Sequence, residues 1–123
     1  MSCDIASLLI DVLPGKLDCP VDTEIPDPRP DGRFVRVVDA GGPAIRDWVL
    51  DEVQVTWEAS STVSPADAAL LALTVRDAFD SLAGTEQDGQ WICDVTCTRP
   101  RWFPDENRIP RYTGSAIILM QNP

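Results

Sequence analysis

A chain of 123 residues is long enough for one domain, which removes roughly two-thirds of its unfolded surface from water on folding. Its formal charge is −10, with 20 acidic and 10 basic residues, which argues against a broad phosphate-binding face because that affinity comes from neutralising phosphates with Lys and Arg. It has no histidine, so the usual general base of Ser and Cys nucleophiles and the commonest metal ligand are both missing.

The opening MSCDIASLLIDVLPG carries Asp4 and Asp11 and no basic segment, so it does not read as a signal peptide. No apolar run approaches the ~18 residues of a membrane span. Residues 4–14 are expected to form a short helix. Ile5, Leu8, Leu9, Val12 and Leu13 fall on one stripe at helical spacing, and Pro14-Gly15 ends it. The proline-rich, acidic CPVDTEIPDPRPDG follows. Val21 to Ile25 alternates like an edge strand, and the later prolines favour an extended arm over 26–33.

RFVRVVDA, 33–40, is rich in β-branched residues and closes with Gly41-Gly42-Pro43, which predicts a strand followed by a loop. DEVQVTWEA, 51–59, gives the cleanest alternation. Val53, Val55, Trp57 and Ala59 face one way, and Glu52, Gln54, Thr56 and Glu58 the other, so one sheet face is buried and one is wet and acidic. A second helix is expected over 65–83. Ser64 caps it, Pro65 takes its first position, and Asp67 complements its dipole. Ala68, Leu71, Ala72, Val75, Phe79 and Leu82 make its core stripe, and Gly84 stops it. Leu70 and Leu73 fall off the stripe's centre, and a wide core stripe is the expectation for them.

WICDVTCT, 91–98, places Trp91, Cys93, Val95 and Cys97 inward. RYTGSAIILM, 111–120, is the last strand, apolar on both faces and so expected to be covered on both. The fold class is therefore α+β. It is a mainly antiparallel sheet of about five strands with two helices packed on one face, in the order α-β-β-β-α-β-β, as a single domain over 1–123.

On a strand, Cys93 and Cys97 lie roughly 13 Å apart at ~3.3 Å per residue, too far for a disulfide. With Cys3 and Cys19 they lack the paired C-x2-C spacing of a zinc site, and buried reduced thiols are the preferred reading. Asp18, Asp22, Glu24 and Asp27 lack the alternating order of a calcium loop. The adjacent acids Asp51-Glu52 and Asp105-Glu106 point apart on extended backbone. There is no GxSxG, Walker loop, GxGxxG or HExxH, so the chain reads as neither an enzyme nor a cofactor or metal binder.

The residues that stand out are RPRWFPDENRIPRYTG, 99–114. Arg99, Arg101, Arg108 and Arg111 crowd there with Trp102, Phe103 and Tyr112 in an otherwise acidic chain. Surface ion pairing with nearby acids is one reading. Contact with another protein is a second, since Trp, Tyr, Phe and Arg are enriched at interfaces and the 99–111 connection is long for a hairpin. Base stacking is a third, and the acidic body disfavours it.

Element order, the RPDGRFVRV stretch with its Gly-Gly, the helix SPADAALLALTVRDAF and the late WFPDENRIPRYTGSAII together resemble the small tail terminator (tail completion) proteins of long-tailed bacteriophages. The likeness is to those infecting actinobacteria in particular, and it covers nearly the whole chain. One departure is the apolar AIILMQNP, where family members often finish with more polar strand residues. The resemblance implies a virion protein without enzymatic activity. It would form a hexameric ring on the head-proximal end of the tail tube, stop tube growth and present the head-joining surface. Its partners would be further copies of itself, the tail tube protein and a head–tail connector protein, with no membrane contact. DNA would pass through the ring without specific binding, and the acidic strand faces would either line that lumen or form an outer wall that serves solubility. The arm with Arg29 and Arg33, and the loop with Arg99, Arg101, Trp102, Phe103, Arg108, Arg111 and Tyr112, would supply the subunit and partner contacts. A connector or stopper ring, and a monomeric protein-binding module, remain alternatives.

Overall fold

The computed structural model describes residues 5–41, 44–46 and 50–121. The predicted helix start at Asp4, Cys3 and the Gly42-Pro43 turn lie outside them. In chain order the elements are α1 Ile5–Leu17, β1 Val21–Asp22, β2 Arg33–Gly41, β3 Ala44–Arg46, β4 Leu50–Ser61, α2 Pro65–Asp80, β5 Thr85–Gln87, β6 Gln90–Cys97, β7 Arg101–Trp102 and β8 Arg111–Gln121. They form a single sheet in the order β1-β2-β4-β8-β6-β5, with β3 added on β4 and β7 on β8. The five expected strands are present as β1, β2, β4, β6 and β8, and the sequence missed β3, β5 and β7. Each of these is only 2 or 3 residues long, too short for alternation to register. The sheet is also mixed: β1 runs parallel to β2, while the other pairs are antiparallel.

β8 is the central strand. β4 pairs along it from Arg111 to Gln121, so β6 and β7 must share its other edge, one after the other. The inward face of the sheet carries Val35, Val37, Val55, Trp57, Ala59, Ile92, Val95, Ala116, Ile118 and Met120, all buried with the stripes of both helices in one core cluster. Both helices therefore pack on one face, as predicted. On the opposite face Ile117 and Leu119 are half-buried across from Gln54 and Glu52, so no helix covers β8 on that side.

α1 outruns its predicted stop. Pro14 removes one helical hydrogen bond, yet the helix continues to Leu17, four residues beyond Leu13 on the buried stripe. Burying a leucine contributes about 1.5–3 kcal/mol, comparable to what an internal proline costs. The helix then ends with Asp18 in the left-handed region (φ 55°) and its N–H donating to the Pro14 carbonyl at 2.9 Å. At the start of α2, the Ser64 hydroxyl accepts from the Asp67 N–H at 3.0 Å, the cap the sequence predicts. The helix stops at Asp80 rather than 83, though Leu82 in the following turn is still buried.

β6 departs most from expectation. Trp91 is exposed and Ile92 is buried in its place. Pairing with β8 runs Ile92 to Met120 and then Asp94 to Leu119, so Cys93 is an extra residue that shifts the register. A bulge of this kind reverses the alternation, which returns Val95 and Cys97 to the inward side. The β5–β6 hairpin turns through Asp88-Gly89, both at positive φ (51° and 78°), a pair suited to a tight two-residue turn.

Candidate functional site

The 99–111 segment is an ordered finger. β7 pairs with the start of β8, Arg101 opposite Thr113 and Trp102 opposite Tyr112. The ladder continues outward with the Phe103 N–H on the Arg111 carbonyl at 2.9 Å. Asp105 closes the tip: its Oδ1 accepts from the Asn107 and Ile109 N–H groups, each at 2.9 Å. Asp105, read from sequence as half of an acid pair, is thus a turn-forming residue. Arg108 takes a positive φ of 61° at this tip, with its N–H on the Asp105 carbonyl at 3.0 Å.

The aromatic residues order one another. Trp102 meets Tyr112 edge to face with centroids 5.3 Å apart, and Phe103 lies between the guanidinium groups of Arg101 and Arg111 at 5.1 and 5.3 Å. Tyr112 packs against the core, whereas Trp102 and Phe103 remain 47% and 48% exposed. Two large rings are therefore held in fixed positions on the surface.

The arginines divide into two groups. Arg111 donates Nε to the Phe103 carbonyl at 2.9 Å and lies 3.6 Å from Glu58, which also pairs with Arg36 at 3.3 Å. Arg29 bonds the Ser60 hydroxyl and lies 3.8 Å from Asp105, so the 26–33 arm folds back against its own sheet and finger. Arg33 grips Asp67 through Nη2 at 2.7 Å and Nε at 3.1 and 3.2 Å. The Arg33 hydrogen bonds, then one from the Ser61 hydroxyl at 2.6 Å, lower the Asp67 pKa to about 2. These three arginines brace the fold. Arg99, Arg101 and Arg108 are exposed and have no carboxylate partner among the described residues.

Two grooves meet at Arg99. One, of about 280 Å³, lies between α2 and the finger base and is lined by Ala69, Ala72, Leu73, Arg76, Arg99, Pro100 and Tyr112. Leu70 and Leu73, expected to widen the core stripe, are instead 59% and 50% exposed on this outer side of α2, because the sheet meets only the 68/71/72/75/79 face. The other groove, of about 370 Å³, is polar and is lined by Thr56, Thr98, Arg99, Arg101, Thr113, Gly114 and Ser115. No carboxylate lines either one.

The cysteines among the described residues are partly buried thiols. Cys97 faces α2, with Sγ 4.0 Å from the Arg76 carbonyl, and burial followed by nearby Asp80 pushes its thiol up to about 12. Burial likewise raises Cys19. Cys19, Cys93 and Cys97 are free thiols, and no group of three potential metal ligands occurs among the described residues. Among those residues no helix is long and apolar enough to cross a membrane.

No known family matches the sequence, and no curated protein matches it significantly. Among solved structures, the fold is similar to a chain in the virion of a native gene transfer agent particle. The TM-score is 0.68 at 14% identity, covering 98% of this chain and 87% of that one. That likeness establishes a shared fold from end to end.

Proposed function

We propose that this protein is a structural component of a phage-like virion, where copies form a ring that caps the tail tube, ends its polymerisation and offers a surface for joining the head. Supporting this reading is a fold shared over 98% of the chain with a protein of a gene transfer agent virion, together with the resemblance of the sequence to tail terminators. The surface chemistry agrees with it. The described residues offer rigid, exposed aromatic and cationic groups for holding protein, and no constellation for catalysis. The outer sheet face sets Arg36, Arg101 and Arg111 beside Glu52, Glu58 and Asp94, and Glu58 is paired with two of those arginines. This face is therefore charge-balanced rather than the acidic lumen wall the sequence suggests.

The finger is the part of the molecule committed to that assembly. Arg101→Ala with Trp102→Ala removes one unpaired cation and one exposed ring, neither part of the buried core. The double variant is expected to keep the wild-type circular dichroism spectrum and to be missing from particles when supplied in place of the wild-type protein. Incorporation at the wild-type level would remove the finger from the interface.

A further inference from the structure

Resting on the ring reading above, we infer that the two lateral edges of the sheet meet between neighbouring copies, the acidic β1 edge of one copy docking against the Arg99–Arg101 surface of the next. The occupant of the grooves at Arg99 is thus a second copy of this chain.

The topology supplies the first part of the argument. β1 lies at one end of the strand order, and β7 lies on the far edge of β8, beside β6. β1 and β7 are each 2 residues long and each is hydrogen-bonded on one side only among the described strands. Within one copy the arm that leaves β1 reaches the finger tip through Arg29 and Asp105, but among the described residues the two edges share no ion pair between Asp22 or Glu24 and Arg99 or Arg101. They can meet head to tail between copies, a heterologous contact that closes into a ring when the rotation permits.

Charge supplies the second part. Asp22 and Glu24 are exposed at the β1 edge, and neither is in an ion pair among the described residues. Across the sheet, Arg99 and Arg101 are exposed and equally unpaired, in grooves that no carboxylate lines. A chain with twice as many acids as bases has left cations unpaired on the edge opposite an acidic one. Such patches favour one mutual orientation and disfavour like edges meeting. The apolar floor of the first groove, with half-exposed Leu73, gains from being covered at the same time.

Paired charge reversals test this with the full chain. One variant carries Arg99→Glu and Arg101→Glu, the other Asp22→Lys and Glu24→Lys, and sedimentation reads assembly with and without purified tail tubes. Each variant alone is expected to associate about tenfold or more weakly than wild type, since every junction now opposes like charges. An equimolar mixture is expected to recover assembly, because alternating copies restore opposite charge at both kinds of junction. The milder Arg99→Gln with Arg101→Gln keeps the test open if a reversal disturbs folding, and it too should weaken association. If wild type assembles while the variants match it, or the mixture stays dissociated, the edge assignment falls and the ring function stands. If wild type assembles neither alone nor on tubes, both fall.

Discussion

Gly114 and Trp57 are cross-strand partners, and the indole lies over the glycine so closely that a Cβ there would come 2.5 Å from Trp57 Cζ2. Trp57 is fully buried and the core around it is closed, so neither ring nor strand has room to move. Gly114→Ala is therefore expected to cost about 1–3 kcal/mol, read as a lower denaturant midpoint; an unchanged midpoint would contradict the packing. Asp67 gives a prediction in pH. Its carboxyl is held at about 2 by Arg33 and Ser61, below its usual value near 3.8, so the charged form is favoured by folding. Its contribution is fully present above about pH 4 and is lost as pH falls toward about 2. Asp67→Asn should lower stability at neutral pH and flatten the acid limb of the stability curve in that window. An unchanged acid limb would exclude the pair as a stabilising contact. Neither feature was legible in the sequence, which shows Ser64 as a cap but not that Arg33, 34 residues away, returns to the same helix start.

At the scale of elements, regular periodicity could be read and interruptions could not. The centre of β4 and the buried stripe of α2 repeat at constant spacing, and the structure has them where that spacing places them, while β2 is legible from its β-branched content although Phe34 and Val35 are both buried. WICDVTC fails as a guide because Trp91 and Ile92 are both apolar, and one inserted residue at Cys93 decides which of them is buried. Proline misled in α1, where the burial of Leu17 outweighs a local stop signal. The Asp88-Gly89 pair is a local hairpin signal, and the short β5 that it joins to β6 is the strand that alternation alone does not reveal. For the candidate site, residue types identified the segment, since arginines and aromatics crowding together in an acidic chain stand out in composition alone. Which arginines brace the fold and which remain unpaired depends on Glu58, Asp67 and Asp105 approaching from distant parts of the chain.

At the scale of the molecule, the layout is asymmetric. Helices cover one sheet face, the other carries acids and arginines in balance, the finger and arm gather at one end, and the unpaired acids of the β1 edge lie apart from the unpaired Arg99 and Arg101. A head-to-tail ring, as proposed above, would use that polarity. The proposed function is that such a ring ends a tail tube. Deleting this protein's gene, and imaging the lysate of the resulting strain by negative-stain electron microscopy, tests that most directly. Overlong tails of varied length without heads are the predicted result. Normal-length tails beside unattached heads would contradict tube termination and move the protein to a connector ring, and intact, infectious particles would overturn a structural role in the virion altogether.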